Sequence, residues 1–151
     1  MHREDSPGRR RQATRSDAGA EHEAAAILQV MGGLGPRACR TLLDRFGSAR
    51  CVLKADCAEW AITLGWSVDA VDRIRRAVPL RKVKSDLREL QRLGGSVLTE
   101  PDPHYPSGWK GMVDPPVLMR CLGATGCLVE RPVVAIVGAR RCSAIGLDLA
   151  A

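Results

Sequence analysis

The chain has 151 residues, room for one ordinary domain or for a small domain with part of another. Its hydrophobic content of 45% suits a globular protein, and with only three Trp, one Tyr and one Phe the core has to be mostly aliphatic. A formal net charge of +6 leans toward polyanionic partners without establishing one. No run of about 18 apolar residues exists, which excludes a membrane-spanning helix.

Residues 1–20 hold five Arg and three acids among Ser, Gly, Ala and Pro, without apolar periodicity, and read as a disordered tail with no secretory signal. From Glu21 to about Leu93 the pattern is helical. Ala24, Ile27, Leu28 and Met31 share one face of a first helix, and Cys39, Leu42, Leu43 and Phe46 repeat the spacing in a second, opened by Pro36. Asp56 and Glu59 form a capping pattern ahead of Cys57, Trp60, Ala61 and Leu64. Ser67 caps a fourth helix bearing Val68, Val71, Ile74 and Val78. A fifth, from about Arg81 to Leu93, buries Val83, Leu87 and Leu90 and stops at Gly94-Gly95.

Beyond Gly95 the pattern changes. Ser96–Thr99 is a strand candidate, and the prolines of Glu100–Pro106 exclude a helix there. Asp114-Pro115-Pro116 leads into a second strand at Val117–Met119. Val133–Val137, five apolar residues ending at a glycine, has the form of a buried parallel strand that hands the chain to an anion-binding helix N-terminus. The fold class expected is therefore a small helical domain, SAM-like or helix-hairpin-helix, over residues 21–95. The start of a Rossmann-like parallel sheet follows over 96–151, an α domain joined to a truncated α/β one. Ala151 falls about one helical turn after Gly146, so a sheet of this kind is begun and not completed within the chain.

Three constellations bear on chemistry. Met31-Gly32-Gly33-Leu34-Gly35-Pro36-Arg37 is a hairpin between two helices, where Gly33 and Gly35 either turn backbone amides toward a phosphate or simply permit a tight corner. Arg37, Arg40 and Arg45 could extend a phosphate contact along the next helix. Val71–Arg92 carries eight Lys or Arg against three acids, either a solvated surface or a DNA-tracking face. The Gly138–Gly146 loop lacks the Gly-x-Gly-x-x-Gly pattern and the Gly-Lys-Ser/Thr of a P-loop. It does offer Arg140 and Ser143 to a phosphate oxygen, mononucleotide or nucleic acid alike.

Catalytic groups are scarce. Asp102, His104 and Tyr105 cluster, but the prolines around them indicate a rigid structural loop, and no nucleophile or paired carboxylate accompanies them. The six cysteines have spacings unlike those of zinc ligands: Cys51 and Cys57 are six apart, as are Cys121 and Cys127. They read as thiols in a reducing cytoplasm, with no metal and no cofactor expected.

Taken in order, four segments resemble the DprA/Smf family of DNA-processing proteins. They are Gly33-Leu34-Gly35-Pro36 with Leu42–Ser48; Asp102-Pro103-His104-Tyr105-Pro106; Asp114–Leu118; and Val134–Arg140 continuing to Ser143 and Gly146. Met119–Leu122 and Ala144-Ile145 depart from the family pattern. The resemblance implies a cytoplasmic, non-enzymatic accessory protein that binds single-stranded DNA, helps load the RecA recombinase, self-associates and serves natural transformation, with no membrane partner. It places the DNA phosphate at Gly138, Ala139 and Arg140, with Ser143 beside them, while the helix-hairpin-helix reading above offers Gly33, Gly35 and Arg37 as a candidate secondary contact. It also implies that this chain is the N-terminal part of a longer protein. The alternatives are a nucleotide-binding Rossmann-like enzyme and a non-functional remnant.

Overall fold

The computed structural model describes residues 15–130, 132, 134 and 143–148, and the side chains of all of these except 15, 16 and 147. Six helices come first. The opening one, α1 (Arg15–Val30), starts inside the stretch expected to be tail. Polar tertiary contacts, invisible to an apolar pattern, hold that stretch in place. Asp17 pairs with Arg50 at 2.7 Å, and the Glu21 carboxylate accepts the amides of Ala49 at 2.5 Å and Arg50 at 3.2 Å.

Pro36 occupies the first turn of α2 (Pro36–Phe46), which ends at Gly47 in the left-handed region (φ 82°), where glycine carries no Cβ penalty. The next helix, α3 (Ala49–Lys54), was not anticipated. It has six residues and buries only Ala49 and Val52, too little for a period to register. The Ser48 hydroxyl caps it from one side and Glu21 from the other. The expected capping box opens α4 (Cys57–Leu64): Asp56 accepts from the Glu59 amide at 2.7 Å, and Glu59 accepts from the Asp56 amide at 2.9 Å. Ser67 caps α5 (Val68–Arg76), and α6 (Leu80–Arg92) begins one residue earlier than the pattern placed it.

These helices enclose one aliphatic core around the Trp60 indole, with Trp66 packed against its edge. Leu28, Leu42, Val52, Trp60, Val71 and Val83 are all fully buried. Alanines 24–26 on α1 keep that face smooth, so that α3 and α6 can approach it closely. The Trp60 Nε1–H donates to the Val52 carbonyl at 2.8 Å. Arg75 lies over the indole at 5.1 Å and donates to the carbonyls of Leu53 and Ala55, closing the end of α3.

Gly95 follows α6 because a Cβ there would overlap Leu90 and come within 2.8 Å of the Cys121 carbonyl. The chain then forms β1 (Ser96–Leu98), a single-turn α7 (Ser107–Lys110), β2 (Met119–Cys121), α8 (Cys127–Glu130) and α9 (Ala144–Asp148). The sheet described is a two-stranded antiparallel pair, with Val97 opposite Arg120. The second strand lies two residues beyond its expected position, because Val117 and Leu118 pack into the helical core instead. Leu118 is 2% exposed, and its carbonyl accepts the Gln29 side-chain amide at 2.9 Å. The parallel strand expected at 133–137 falls largely outside the described residues, and the parallel Rossmann-like sheet is not part of what is described.

The boundary expected after residue 95 is crossed by several contacts. Besides Gln29 to Leu118, His22 meets Asp102 at 3.2 Å and Arg40 meets Glu100 at 2.6 Å. Residues 96–121 thus sit directly on the α1–α2 hairpin. Among the described residues no helix is long and apolar enough to cross a membrane.

Candidate nucleic-acid interface

The α1–α2 corner gives its two glycines different tasks. Gly33 has φ +88°, and a Cβ on it would sit 3.4 Å from the Ile74 side chain. It therefore faces α5 and serves the turn, with Leu34 buried beside it. Gly35 faces open space in extended geometry, as the N-cap of α2. No side chain caps that helix start, and the first turn carries no acid, so its amides and partial positive charge face solvent. Arg37 follows with its side chain 84% exposed, loosely held to Asp114 at 3.8 Å.

Arg40 is not available to extend such a contact. Its guanidinium is held by Asp44 at 2.9 Å and Glu100 at 2.6 Å. Arg45 is exposed and makes no ion pair among the described residues. The basic density of Val71–Arg92 is largely neutralised in place: Arg76 pairs with Asp72, Lys82 with Asp86, Lys84 with Glu23 and Arg92 with Glu89. The Arg92 guanidinium holds the Glu89 carboxyl below its ordinary range, and Glu89 in turn raises Arg92. Arg75 is committed to the core. Arg81 and Arg88 are the exposed cations of α6 that lack an ion pair among the described residues. This surface is closer to a solvated helix face than to a continuous cationic track.

Gly138, Ala139 and Arg140 lie outside the described residues. Ser143 is described: its hydroxyl accepts the Gly146 amide at 3.3 Å at the start of α9. One of its lone pairs therefore serves the helix, while its O–H proton has no acceptor among the described residues.

The Asp102–Pro106 loop is a clasp. A single carboxylate oxygen, Asp102 Oδ2, accepts the Thr99 amide and the Thr99 hydroxyl, each at 2.6 Å, and meets His22 Nε2 at 3.2 Å. Tyr105 is buried, donates its hydroxyl to the Pro116 carbonyl at 2.9 Å and meets Trp109 edge-on at 6.1 Å. Burial pushes its phenol above the usual value, with the Glu100 charge adding to the shift. His104 is exposed and bonds to Thr125 at 2.8 Å. Asp102, His104 and Tyr105 thus each have a partner among the described residues: Thr99 and His22, Thr125, and the Pro116 carbonyl.

This stretch is where a known family becomes visible. Residues 96–151 match the family model of DNA recombination-mediator protein A. The chain is DprA-like over that segment, somewhat more than a third of its length. No curated protein and no solved structure matches it. The DprA-like segment contains Asp102, Tyr105, the Pro115-Pro116 corner, Gly138–Arg140 and Ser143. The hairpin residues Gly33, Gly35 and Arg37 lie outside it.

The described thiols divide sharply. Cys51 and Cys127 are exposed, whereas Cys39 is buried and pushed up to about 11 by desolvation. Cys121 is raised more modestly, by burial and then by the neighbouring Cys127. Because only the thiolate reacts, a disulfide reagent at pH 8 should label Cys51 and Cys127 rapidly and Cys39 only after unfolding, as read by peptide mass mapping. Rapid native labelling of Cys39 would contradict its placement. Its raised pKa also stabilises the fold fully below the ordinary thiol range, a contribution lost as pH climbs toward about 11.

Proposed function

We propose that the protein is a single-stranded DNA-binding accessory factor of DNA processing, acting without catalysis of its own in DNA uptake during natural transformation and in loading RecA. The observation that carries this reading is the match of residues 96–151 to the recombination-mediator family, over a segment containing the Gly138-Ala139-Arg140 loop. In this reading Gly138, Ala139 and Arg140 grip a DNA phosphate, and the Ser143 hydroxyl donates a hydrogen bond beside them. The uncapped start of α2, with Gly35 and Arg37, adds a second and weaker phosphate contact, and Gly33 supports it by fixing the turn. RecA and a second copy of the chain are the protein partners proposed, in the cytoplasm.

Fluorescence anisotropy of a labelled single strand against the full chain tests this. Affinity should fall linearly on a log–log plot against salt, with a slope of about −0.7 per phosphate neutralised. Arg140→Ala should weaken binding roughly tenfold, the value of one charge-assisted contact, and flatten the slope by about 0.7. Arg37→Ala should have a smaller effect, because that side chain is almost wholly in water. Equal affinity of the Arg140 variant and the native chain would remove the role assigned to the loop.

A further inference from the structure

Between α1, α2 and the loops of residues 99–117 lies a cavity of about 350 Å3 that the proposed phosphate contacts do not use. Its apolar lining comes from Ala25, Leu43, Pro101, Pro115, Pro116 and Val117, three of them rigid prolines. Its polar lining includes Arg40, Asp44, Glu100 and Lys110. Arg40 Nε contacts Asp44 Oδ1 and Arg40 Nη1 contacts Glu100 Oε2, which fixes both carboxylates; among the described residues the other oxygen of each has no donor, and the bonded oxygen keeps a second lone pair. Each oxygen of Glu21, also in the lining, already accepts a backbone amide. Lys110 is exposed and has no ion pair among the described residues.

A slot of this size is at the small end of ligand sites, which run from about 300 Å3 upward. Apolar walls suit a flat ring, and a carboxylate can only accept hydrogen bonds. The complementary ligand is therefore a planar heterocycle with adjacent N–H donors on one edge. Among the bases of DNA, guanine alone presents a ring N1–H beside an exocyclic amine, spaced for the two oxygens of one carboxylate. Thymine offers a single N–H between two carbonyls, which the carboxylates would repel. Three carboxylates against Arg40 and Lys110 leave the lining net negative by one charge, which favours a base over a phosphate inside and leaves the exposed Lys110 ammonium for the phosphate.

We propose that this cavity takes a guanine base, with Glu100 reading its N1–H and amino edge. For guanine within a single strand the proposal rests on the DNA-binding reading above; a free guanine nucleotide is the other source of the same chemistry. The test uses the full chain and strands of one length: all-thymine, thymine with one central guanine, and the same strand with hypoxanthine in place of guanine. One guanine should tighten binding about tenfold, and loss of its exocyclic amine should abolish most of that gain. Glu100→Gln keeps an acceptor for Arg40 but turns one oxygen into a donor. It should remove the guanine preference while leaving affinity for the all-thymine strand unchanged. The hypoxanthine strand asks the same question without altering the protein. Equal binding of all three strands overturns the cavity assignment and leaves the DNA reading intact. If no strand binds, the DNA reading fails and guanosine monophosphate decides: binding that exceeds that of the hypoxanthine nucleotide supports the cavity, and no binding overturns it.

Discussion

Trp60→Ala is expected to leave the protein largely unfolded at room temperature. The side chain is fully buried, and two further interactions depend on it. Its N–H satisfies the Val52 carbonyl, and its ring supports the Arg75 guanidinium that closes α3 through Leu53 and Ala55. Truncating a buried tryptophan costs about 3–5 kcal/mol from lost transfer energy and the cavity left behind. The unpaired Val52 carbonyl adds roughly 1 kcal/mol or more. Against a total stability of about 5–15 kcal/mol, that removes most of the margin of a small domain. Urea titration followed by circular dichroism should show the midpoint collapse, and the melting temperature should fall by roughly 16–48 °C, at about 4–8 °C per kcal/mol. Trp60→Phe, which fills much of the space but donates nothing, should fall between. A loss under about 1 kcal/mol in the alanine variant would mean that the core is organised around something else.

The same neighbourhood shows what the sequence could and could not reveal. Asp56 with Glu59, and Ser67, were legible as caps because the signal and the hydrogen bond it predicts both lie within three residues. The apolar faces carrying Leu28, Leu42, Trp60, Val71 and Val83 were legible because burial repeats with the helical period. What escaped is non-local. The start of α1 and the short α3 are settled by Glu21 reaching 28 and 29 residues along the chain to two amides. The second strand shifted because Leu118 found better burial beneath α1 than in a ladder.

The candidate site divides along the same line. That Gly33 and Gly35 make a corner was readable; that Gly33 turns inward to Ile74 while Gly35 faces solvent required the packing of α5. Arg40 looked available because its acid partner Glu100 lies 60 residues away, and Lys84 because its partner Glu23 belongs to α1. Charge density in sequence overstates a charged face whenever the compensating acids come from another element.

Asp102 is the sharpest case, and its removal should be the second-largest effect. In a cluster with His104 and Tyr105, a carboxylate invites an acid–base role, yet its geometry is that of a fastener. Thr99 is only 6% exposed, and its amide and hydroxyl both end on Asp102 Oδ2. Asp102→Ala would strand two buried donors at about 1–3 kcal/mol each and cut the link to His22 on α1. A net loss of about 2–4 kcal/mol is expected, with faster proteolytic cleavage across α7 and the turn after it, residues 107–113, as the clasp opens. Asp102→Asn keeps one acceptor oxygen and should lose roughly half as much, whereas a catalytic carboxylate would tolerate neither change in activity and either change in stability. Combining Asp102→Ala with His22→Ala should be less than additive, because the two side chains share one contact. An alanine variant as stable and as protease-resistant as the native chain would mean that Thr99 finds its partners elsewhere. The loop would then not be what holds the DprA-like segment against the helices.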